Sequence, residues 1–279
     1  MSDPASSGEF DPMAVPVRPA ATVMLVADVP DLHVLMLRRA ARQVFAGDMW
    51  VYPGGAVDPA DAEQAAAHVH GIDDREASRR LGIESGGLAY WVAAVRECFE
   101  EAGVLFVDGG LDHVDPDRLA RRRQALNGHE DDFVTLLGEE GLRLDLGALH
   151  PVAHWITPLG SPRRFDTRFF VAPFPMGQEA VHDDGEAVHS AWLRPSDAVA
   201  GWRSGELSMM SPTARMLMCL ERFDSAAEVV AAAAAGLEPH QVRVRRDEVA
   251  YEIMLPGDPG YAEGDGESEF GWVALRPLG

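Results

Sequence analysis

The sequence predicts an α/β fold, and three observations carry the prediction. Two apolar runs, ATVMLVAD at 21–28 and HVLMLRR at 33–39, flank a short Pro-Asp turn and read as a hairpin. The segment GLAYWVAAVRECFEEAG at 87–103 repeats Leu88, Trp91, Val92, Val95, Phe99 and Ala102 at helical spacing, which makes one apolar stripe. LHPVAHWIT at 149–157 and RFFVAPFP at 168–175 add two strands well downstream. With 279 residues, 47% of them hydrophobic, the chain can bury a substantial core as one large domain with an extension.

Residues 1–18 are rich in Pro, Ser and Asp and are expected as a disordered leader, because they offer little apolar surface to offset ordering. After the hairpin, MWVYPGG at 49–55 is a short strand running into a Pro-Gly-Gly turn. Residues 61–82 are charged, alanine-rich and helical in composition, within a first insert of about 62–88. The helix at 87–103 ends where Gly103 can take the left-handed cap, and VLFV at 104–107 reads as a strand. Residues 112–141 are polar and helical, within a second insert of about 109–147. SPTARMLMCLERF at 211–223 reads as a helix with Ser at the N-cap and Pro at its first position, and SAAEVVAAAAAG at 225–236 as a helix ended by Gly236. VRVRRDEVAYEIMLPGDPGY at 242–261 suggests a last strand pair and a turn. The expected organisation is a leader at 1–18, a main domain at 19–224 with two helical inserts, and a C-terminal helix-strand extension at 225–279.

The formal charge of −21 argues against nucleic acid or an anionic membrane as partner. A small anionic ligand is compatible with it only where a metal or local arginines reverse the field. There is no apolar run of 18 residues and no basic start followed by an apolar stretch, so neither a membrane span nor a secretory signal is expected. Cys98 and Cys219 are the only cysteines, which implies no disulfide framework and a reducing cytoplasm as the expected location.

RECFEEAGV at 96–104 breaks two rules of helix electrostatics. Glu97, Glu100 and Glu101 crowd the C-terminal turns, where the macrodipole favours cations, and they stand three and four residues apart, where like charges repel. The ordinary alternative is a solvated acidic face, which carries Lys or Arg one turn away. Here only Arg96 is so placed, toward Glu100, while the positions around Glu97 and Glu101 hold Ala93 and Leu105. A hard divalent cation would offset the repulsion, and all-oxygen ligands favour Mg²⁺, Mn²⁺ or Ca²⁺ over zinc. Upstream, YPGGAVDPAD at 52–61 sets two glycines after a strand, which permits close backbone approach and offers a carbonyl as a further hard ligand.

Together the two segments resemble the Nudix box, G-x5-E-x7-R-E-U-x-E-E-x-G-U with U apolar. Arg96, Glu97, Cys98, Glu100, Glu101, Gly103 and Val104 match its second half at every position. In the first half, Gly55 is followed after five residues by Asp61, an acid where the family has Glu. Then come 34 residues, 62–95, where the pattern has seven, so that 27 are inserted. VLMLRRAARQVFAGDMWVYPGGAVDPAD and HWITPLGSPRRFDTRFFVAPFP resemble the branch with an interrupted box that includes the peroxisomal coenzyme A diphosphatases, over most of residues 20–220. The shorter coenzyme A signature is only approximated: Tyr52 replaces Phe, and Gly47 lies one residue too far upstream. No terminal Ser-Lys-Leu is seen, so a peroxisomal address is not expected.

The resemblance implies an α/β/α Nudix sandwich with a mixed sheet. It also implies hydrolysis of a nucleoside diphosphate linked to another group, with coenzyme A or acyl-coenzyme A competing with NADH, ADP-ribose or a nucleoside triphosphate. A Nudix-like sensor that binds a nucleotide without cleaving it is the alternative of another class. The costly acidic cluster and the lack of a fused helix-turn-helix argue against it. By the resemblance, Glu97, Glu100 and Glu101, helped by the Gly54 carbonyl, would hold Mg²⁺ or Mn²⁺, and Arg96 would orient the glutamates. The general base would be a box glutamate such as Glu97 or a glutamate of the later loop QEAVHDDGEAVHSAW, where Glu186 is favoured over Glu179.

Arg38, Arg39, Arg163, Arg164 and Arg168 are the candidate phosphate binders; the last three lie in PRRFDTR, where Asp166 is expected to orient an arginine. Trp50, Trp155 and Phe165 are candidates for stacking on a base, although strand aromatics are more often core. The ten histidines show no metal-ligand spacing: His68 and His70 read as surface, His150 and His154 as satisfied strand residues. The two inserts offer surface for a homodimer.

Overall fold

A computed structural model describes residues 14–42, 46–183, 185–246, 251–265 and 271–278. Residues 1–13 of the expected leader lie outside the described residues; Val17 and Arg18 already belong to the first strand. In chain order, β1 (Val17–Asp28) and β2 (Leu32–Arg39) form the expected hairpin, and β3 (Trp50–Val51) and β4 (Gly54–Ala56) flank the Pro-Gly turn. The first insert holds α1 (Pro59–Ala65), β5 (Val69–His70) and α2 (Asp74–Leu81), and leads into α3 (Gly87–Ala102). The second holds α4 (Pro116–Asn127), α5 (Phe133–Glu140) and β6 (Leu144–Asp145). Then follow β7 (His150–Ile156), β8 (Arg164–Pro173), β9 (Ala187–Leu193), α6 (Pro195–Ser204), α7 (Ser211–Leu220) and α8 (Ala226–Ala234). The C-terminal strands are β10 (His240–Gln241), β11 (Arg243–Arg246), β12 (Tyr251–Met254) and β13 (Gly271–Val273).

Nine strands build one mixed sheet, with the path β10-β13-β7-β8-β1-β2-β3, β4 beside β1 and β9 beside β2. β1 and β8 run parallel, while β1–β2, β7–β8 and β2–β9 are antiparallel. Alternate side chains of the central strands go to opposite faces. Val23, Leu25, Leu35 and Phe170 join the core under α3 and the two inserts. Met24, Val26, Val34 and Val171 join a second core under α7, α8 and the C-terminal segment. A sheet with both faces covered in this way is the α/β/α sandwich that the sequence predicts.

Three local expectations change. VLFV at 104–107 is no strand; only Val107 bridges to Leu144. The Gln178 side-chain amide takes the strand's hydrogen bonds instead, accepting from the Leu105 N–H at 2.9 Å and donating to its carbonyl at 2.7 Å. Ser211 is the first residue of α7, not its cap; the cap position is Met210, which makes no side-chain capping bond. The strand expected at 168–175 starts earlier, at Arg164, and so absorbs most of PRRFDTR. Beyond residue 225, β13 and β10 extend the same sheet, β13 pairing with β7 and β10 with β13, while β11 and β12 form a separate antiparallel pair, the strand pair expected there. Both cysteines are free and buried, and no helix among the described residues is long and apolar enough to cross a membrane.

Candidate active site

The site begins where β1 and β2 part. They pair only at Val26–Asp28 with Leu32–Val34, and the next segment of chain enters the gap. β3 joins β2 at Leu37 and Arg38, and β4 joins β1 at Ala20–Thr22. The Pro53 carbonyl pins the turn, accepting from the Val23 N–H at 2.9 Å and the Thr22 hydroxyl at 2.8 Å. The two glycines answer to space. A Cβ on Gly54 would fall 2.4 Å from the Ala21 carbonyl oxygen, and one on Gly55 would fall 2.5 Å from the Glu97 carboxylate. The turn and the acidic helix end therefore touch, backbone against carboxylate.

α3 presents that helix end. Its apolar stripe is buried along its length, and Gly103 closes it in the left-handed conformation, with its N–H bonded to the Phe99 carbonyl at 2.9 Å. Arg96 organises the acids. Its guanidinium donates to Asp61 at 3.1 Å, Glu97 at 2.7 Å, Glu100 at 3.0 Å and the Ala56 carbonyl at 2.9 Å. Asp61, at the near end of the insert on α1, is thus an Arg96 partner, and the inserted residues loop out between it and α3. Glu101 points inward, with its side chain 8% exposed, and accepts from the Gly54 N–H at 2.9 Å.

A fourth glutamate arrives from the loop just ahead of β9. Glu186 stands 3.2 Å from the Arg39 guanidinium, which also faces Glu101 at 3.9 Å. Asp183 sets the approach by accepting from the backbone N–H groups of Gly185, Glu186 and Ala187 at 2.8–3.1 Å. The Glu186 carbonyl in turn accepts from Ala40 N–H at 2.8 Å. Asp183 was not singled out in the sequence, although an Asp two residues ahead of a Gly is a turn signal.

The electrostatics record an excess of carboxylate. Burial pushes Glu97 up to about 7; Arg96 opposes the rise, and Glu100 and Glu186 add to it. Glu100 is raised by burial against the pull of Arg96. Glu101 is raised strongly by burial, then by Glu97. Five carboxylates, Asp61 among them, share Arg96 and Arg39, and their donor set is all oxygen, which fits a hard divalent cation. Among the described residues no three such side chains yet converge as metal ligands. Glu97 and Glu100 are turned to Arg96 and Glu101 to Gly54, so seating a cation asks for rotation of flexible glutamate side chains rather than movement of the backbone.

These groups border a cleft of about 700 Å³. Its lining includes Glu97, Glu186, Arg39 and the Gly54–Ala56 strand, and the apolar side chains of Trp155, Phe165, Phe169, Met209, Met210 and Ile253. Of the five candidate phosphate binders, Arg39 and Arg163 line the cleft. Arg38 lies outside it and pairs with Asp48 at 2.7 Å. Arg164 donates to the Thr157 carbonyl at 3.0 Å. Arg168 is 5% exposed, on the α3 side of the sheet, where it donates to the Leu81 carbonyl at 3.1 Å. The physical reason is the strand period: Phe165, Thr167 and Phe169 face the cleft, so Arg168 cannot.

Asp166 orients Arg168 at 3.4 Å, as expected of it, and also holds His154 at 2.6 Å. Trp50 is buried core beside His189, and Glu179 is exposed away from the cleft. The wall from α7 and β12 carried no sequence signal, because its members are ordinary apolar residues distant in the chain.

The family model of the NUDT19 Nudix domain matches residues 72–220. Acyl-coenzyme A diphosphatase NUDT19 of Xenopus laevis is 26% identical over 275 residues, covering 84% of this chain and 72% of that protein. Its Homo sapiens counterpart is 27% identical over 273 residues, covering 83% and 72%. The crystal structure of a NUDIX hydrolase from Alicyclobacillus acidocaldarius superposes with a TM-score of 0.64 at 29% identity, covering 78% of this chain and 97% of that one. Since the family model spans more than half of the chain, this protein belongs to the Nudix hydrolases.

Proposed function

We propose that the protein hydrolyses the diphosphate bond of coenzyme A or acyl-coenzyme A, with Mg²⁺ or Mn²⁺ held by Glu97, Glu100 and Glu101 and aided by a carbonyl of the Gly54–Gly55 turn. One observation carries the reading. One cleft of about 700 Å³ is lined both by Glu97, Glu186, Arg39 and Arg163 and by apolar side chains such as Trp155, Phe165, Phe169 and Met209, so a suitable ligand carries a diphosphate together with an apolar group. Relatives named acyl-coenzyme A diphosphatases support the same substrate class. The two buried thiols fit a reducing compartment such as the cytoplasm.

A divalent cation bound there supplies positive charge to the diphosphate oxygens and favours ionisation of a nearby water. The chain's own residues do the rest. Arg39 and Arg163 engage phosphate oxygens, as planar guanidinium forks suit them. Glu186, 58% exposed at the cleft and steadied by Arg39, takes the proton of the attacking water. The water oxygen bonds to phosphorus, the anhydride P–O bond breaks, and two phosphomonoesters leave. Arg96 touches no substrate; it positions Glu97 and Glu100.

The test is a substrate panel with Mg²⁺: coenzyme A, acyl-coenzyme A esters, NADH, ADP-ribose and nucleoside triphosphates, with products identified by mass. Cleavage of the coenzyme A compounds to 4′-phosphopantetheine species and adenosine 3′,5′-bisphosphate is expected. Preferential cleavage of NADH, ADP-ribose or triphosphates would replace the substrate class, and binding without turnover of any compound would favour a sensor.

A further inference from the structure

A second cavity, of about 500 Å³, lies between α7 and the C-terminal residues. Its walls bring together Arg215, Arg222, His240 and Arg276, with Asp258 the one carboxylate among the lining residues. That is an anomaly in a chain with 45 acids and 24 lysines and arginines. Arg215 is matched, 3.1 Å from Asp258, whose carboxylate also accepts the Leu255 N–H at 2.8 Å. Arg276 donates to the carbonyls of Glu238 at 2.9 Å and Ala274 at 3.5 Å. Neither Arg222 nor Arg276 has an ion pair among the described residues. Burial and the nearby Arg276 hold the His240 pKa below its ordinary value. Cations gathered without carboxylates repel one another, and an oxyanion is the group that reverses the sign.

The cavity is built to bind rather than to react. Burial pushes the Cys219 thiol in its wall up to about 12, so it is no nucleophile at neutral pH. Guanidinium forks suit phosphate better than a lone carboxylate-sized charge requires. The volume exceeds that of a bare ion and falls within the small-molecule range of about 300–1,000 Å³. Arg215 also has a second partner: it donates to the Ile253 carbonyl, and Ile253 lines the active cleft. One side chain thus belongs to the wall of the second cavity and holds the strand that walls the first.

We propose that this cavity is an effector site for a small phosphate-bearing anion, and that Arg215 transmits its occupancy to the cleft through the Ile253 carbonyl. The second clause rests on the reading of the cleft as the substrate site; the first does not. Full-length protein in chelated buffer, where no cation can recruit phosphate to the glutamates, is titrated with inorganic phosphate and with AMP by calorimetry. Saturable binding is expected, weakened about tenfold or more by Arg222→Ala and by Arg276→Ala, as loss of a charge-assisted hydrogen bond implies. AMP binding tenfold tighter than phosphate identifies a phosphomonoester ligand, and equal binding identifies free phosphate. No saturable binding, or binding that neither substitution moves, overturns the site. For the relay, saturating phosphate or AMP should change KM for the cleaved coenzyme A compound at least twofold in wild type and not in Arg222→Ala. An unchanged KM, or a change that persists in Arg222→Ala, overturns the relay and leaves the calorimetry to decide the site.

Discussion

On α2, Glu76 faces Arg79 and Arg80 one turn ahead; on α3, Glu97 and Glu100 share Arg96, and Glu101 turns to the Gly54 N–H. Glu76 lies 2.7 Å from Arg79 and 2.8 Å from Arg80, and the Arg79 hydrogen bond, followed by that of Arg80, holds its carboxyl down at about 2. Glu97 moves the other way, to about 7, because burial outweighs the pull of Arg96. Both helices carry more than one acid. On the first, cations of the same helix and open water satisfy them. On the second, the fold packs a glycine turn and a fourth glutamate against the acids and adds only Arg39 to the helix's own Arg96. A charge deficit that neither the helix nor its neighbours close is what separates a binding centre from a charged surface.

The largest effect that tests this contrast is on turnover. Glu100→Gln and Glu101→Gln should each lower kcat at least about a hundredfold, since loss of a metal ligand removes charge stabilisation from the transition state. Glu76→Gln should leave kcat within about twofold, as an exposed pair contributes little. Near-normal turnover in both α3 variants would erase the distinction. Next comes Gly55→Ala. Its Cβ would meet the Glu97 carboxylate at 2.5 Å, so the carboxylate must move, and kcat should fall about tenfold or more while the melting temperature changes little. Activity at the wild-type level would show that Glu97 has freedom to spare.

Smaller effects sharpen the same map. Arg163→Ala should raise KM several-fold, about the worth of one charge-assisted bond to phosphate, whereas Arg164→Ala should leave KM unchanged because Arg164 is committed to the Thr157 carbonyl. Equal KM effects in steady-state assays would place both arginines on substrate.

The smallest effect is on stability. Glu97 has a folded value of about 7 against an ordinary 4.5, so its relative contribution to cation-free stability is fully present below about 4.5 and is lost as pH rises through about 7. Glu76, at about 2, contributes stability above about 4.5 that is lost as pH falls through about 2. A divalent cation binds the ionised glutamates, so Mg²⁺ should raise the melting temperature more at pH 8 than at pH 5. Scanning calorimetry at both pH values checks this, and an equal shift at both would mean that the cation binds elsewhere.

Much of the site is legible in residue order because it rests on one helix. Glu97, Glu100, Glu101 and Arg96 sit within a single turn and a half, where spacing alone sets mutual direction. The glycines are legible for a related reason, since two in succession after a strand announce close approach. Arg168 was misread: in PRRFDTR the arginines look like one basic cluster, but alternation along β8 sends Arg168 to the α3 side while Phe165 faces the cleft. Asp61 and Glu186 illustrate the middle case. Their identities fit the chemistry, yet only the folded chain shows Asp61 bonded to Arg96 and Glu186 held by Arg39.

The amino-acid order by itself determined the acidic helix with its apolar stripe, the glycine turn, the central hairpin and hence the family, because each depends on neighbours within a few residues or on a period that local geometry enforces. Tertiary structure alone decided which arginines reach the cleft, how the inserted residues loop out without parting Asp61 from Arg96, and that β12 supplies part of the cleft wall. Those outcomes depend on which face of a strand meets which layer and on contacts between residues far apart in the chain. Ile253, for instance, looks like any strand isoleucine until the fold brings it into the same cleft as Met209 and Trp155.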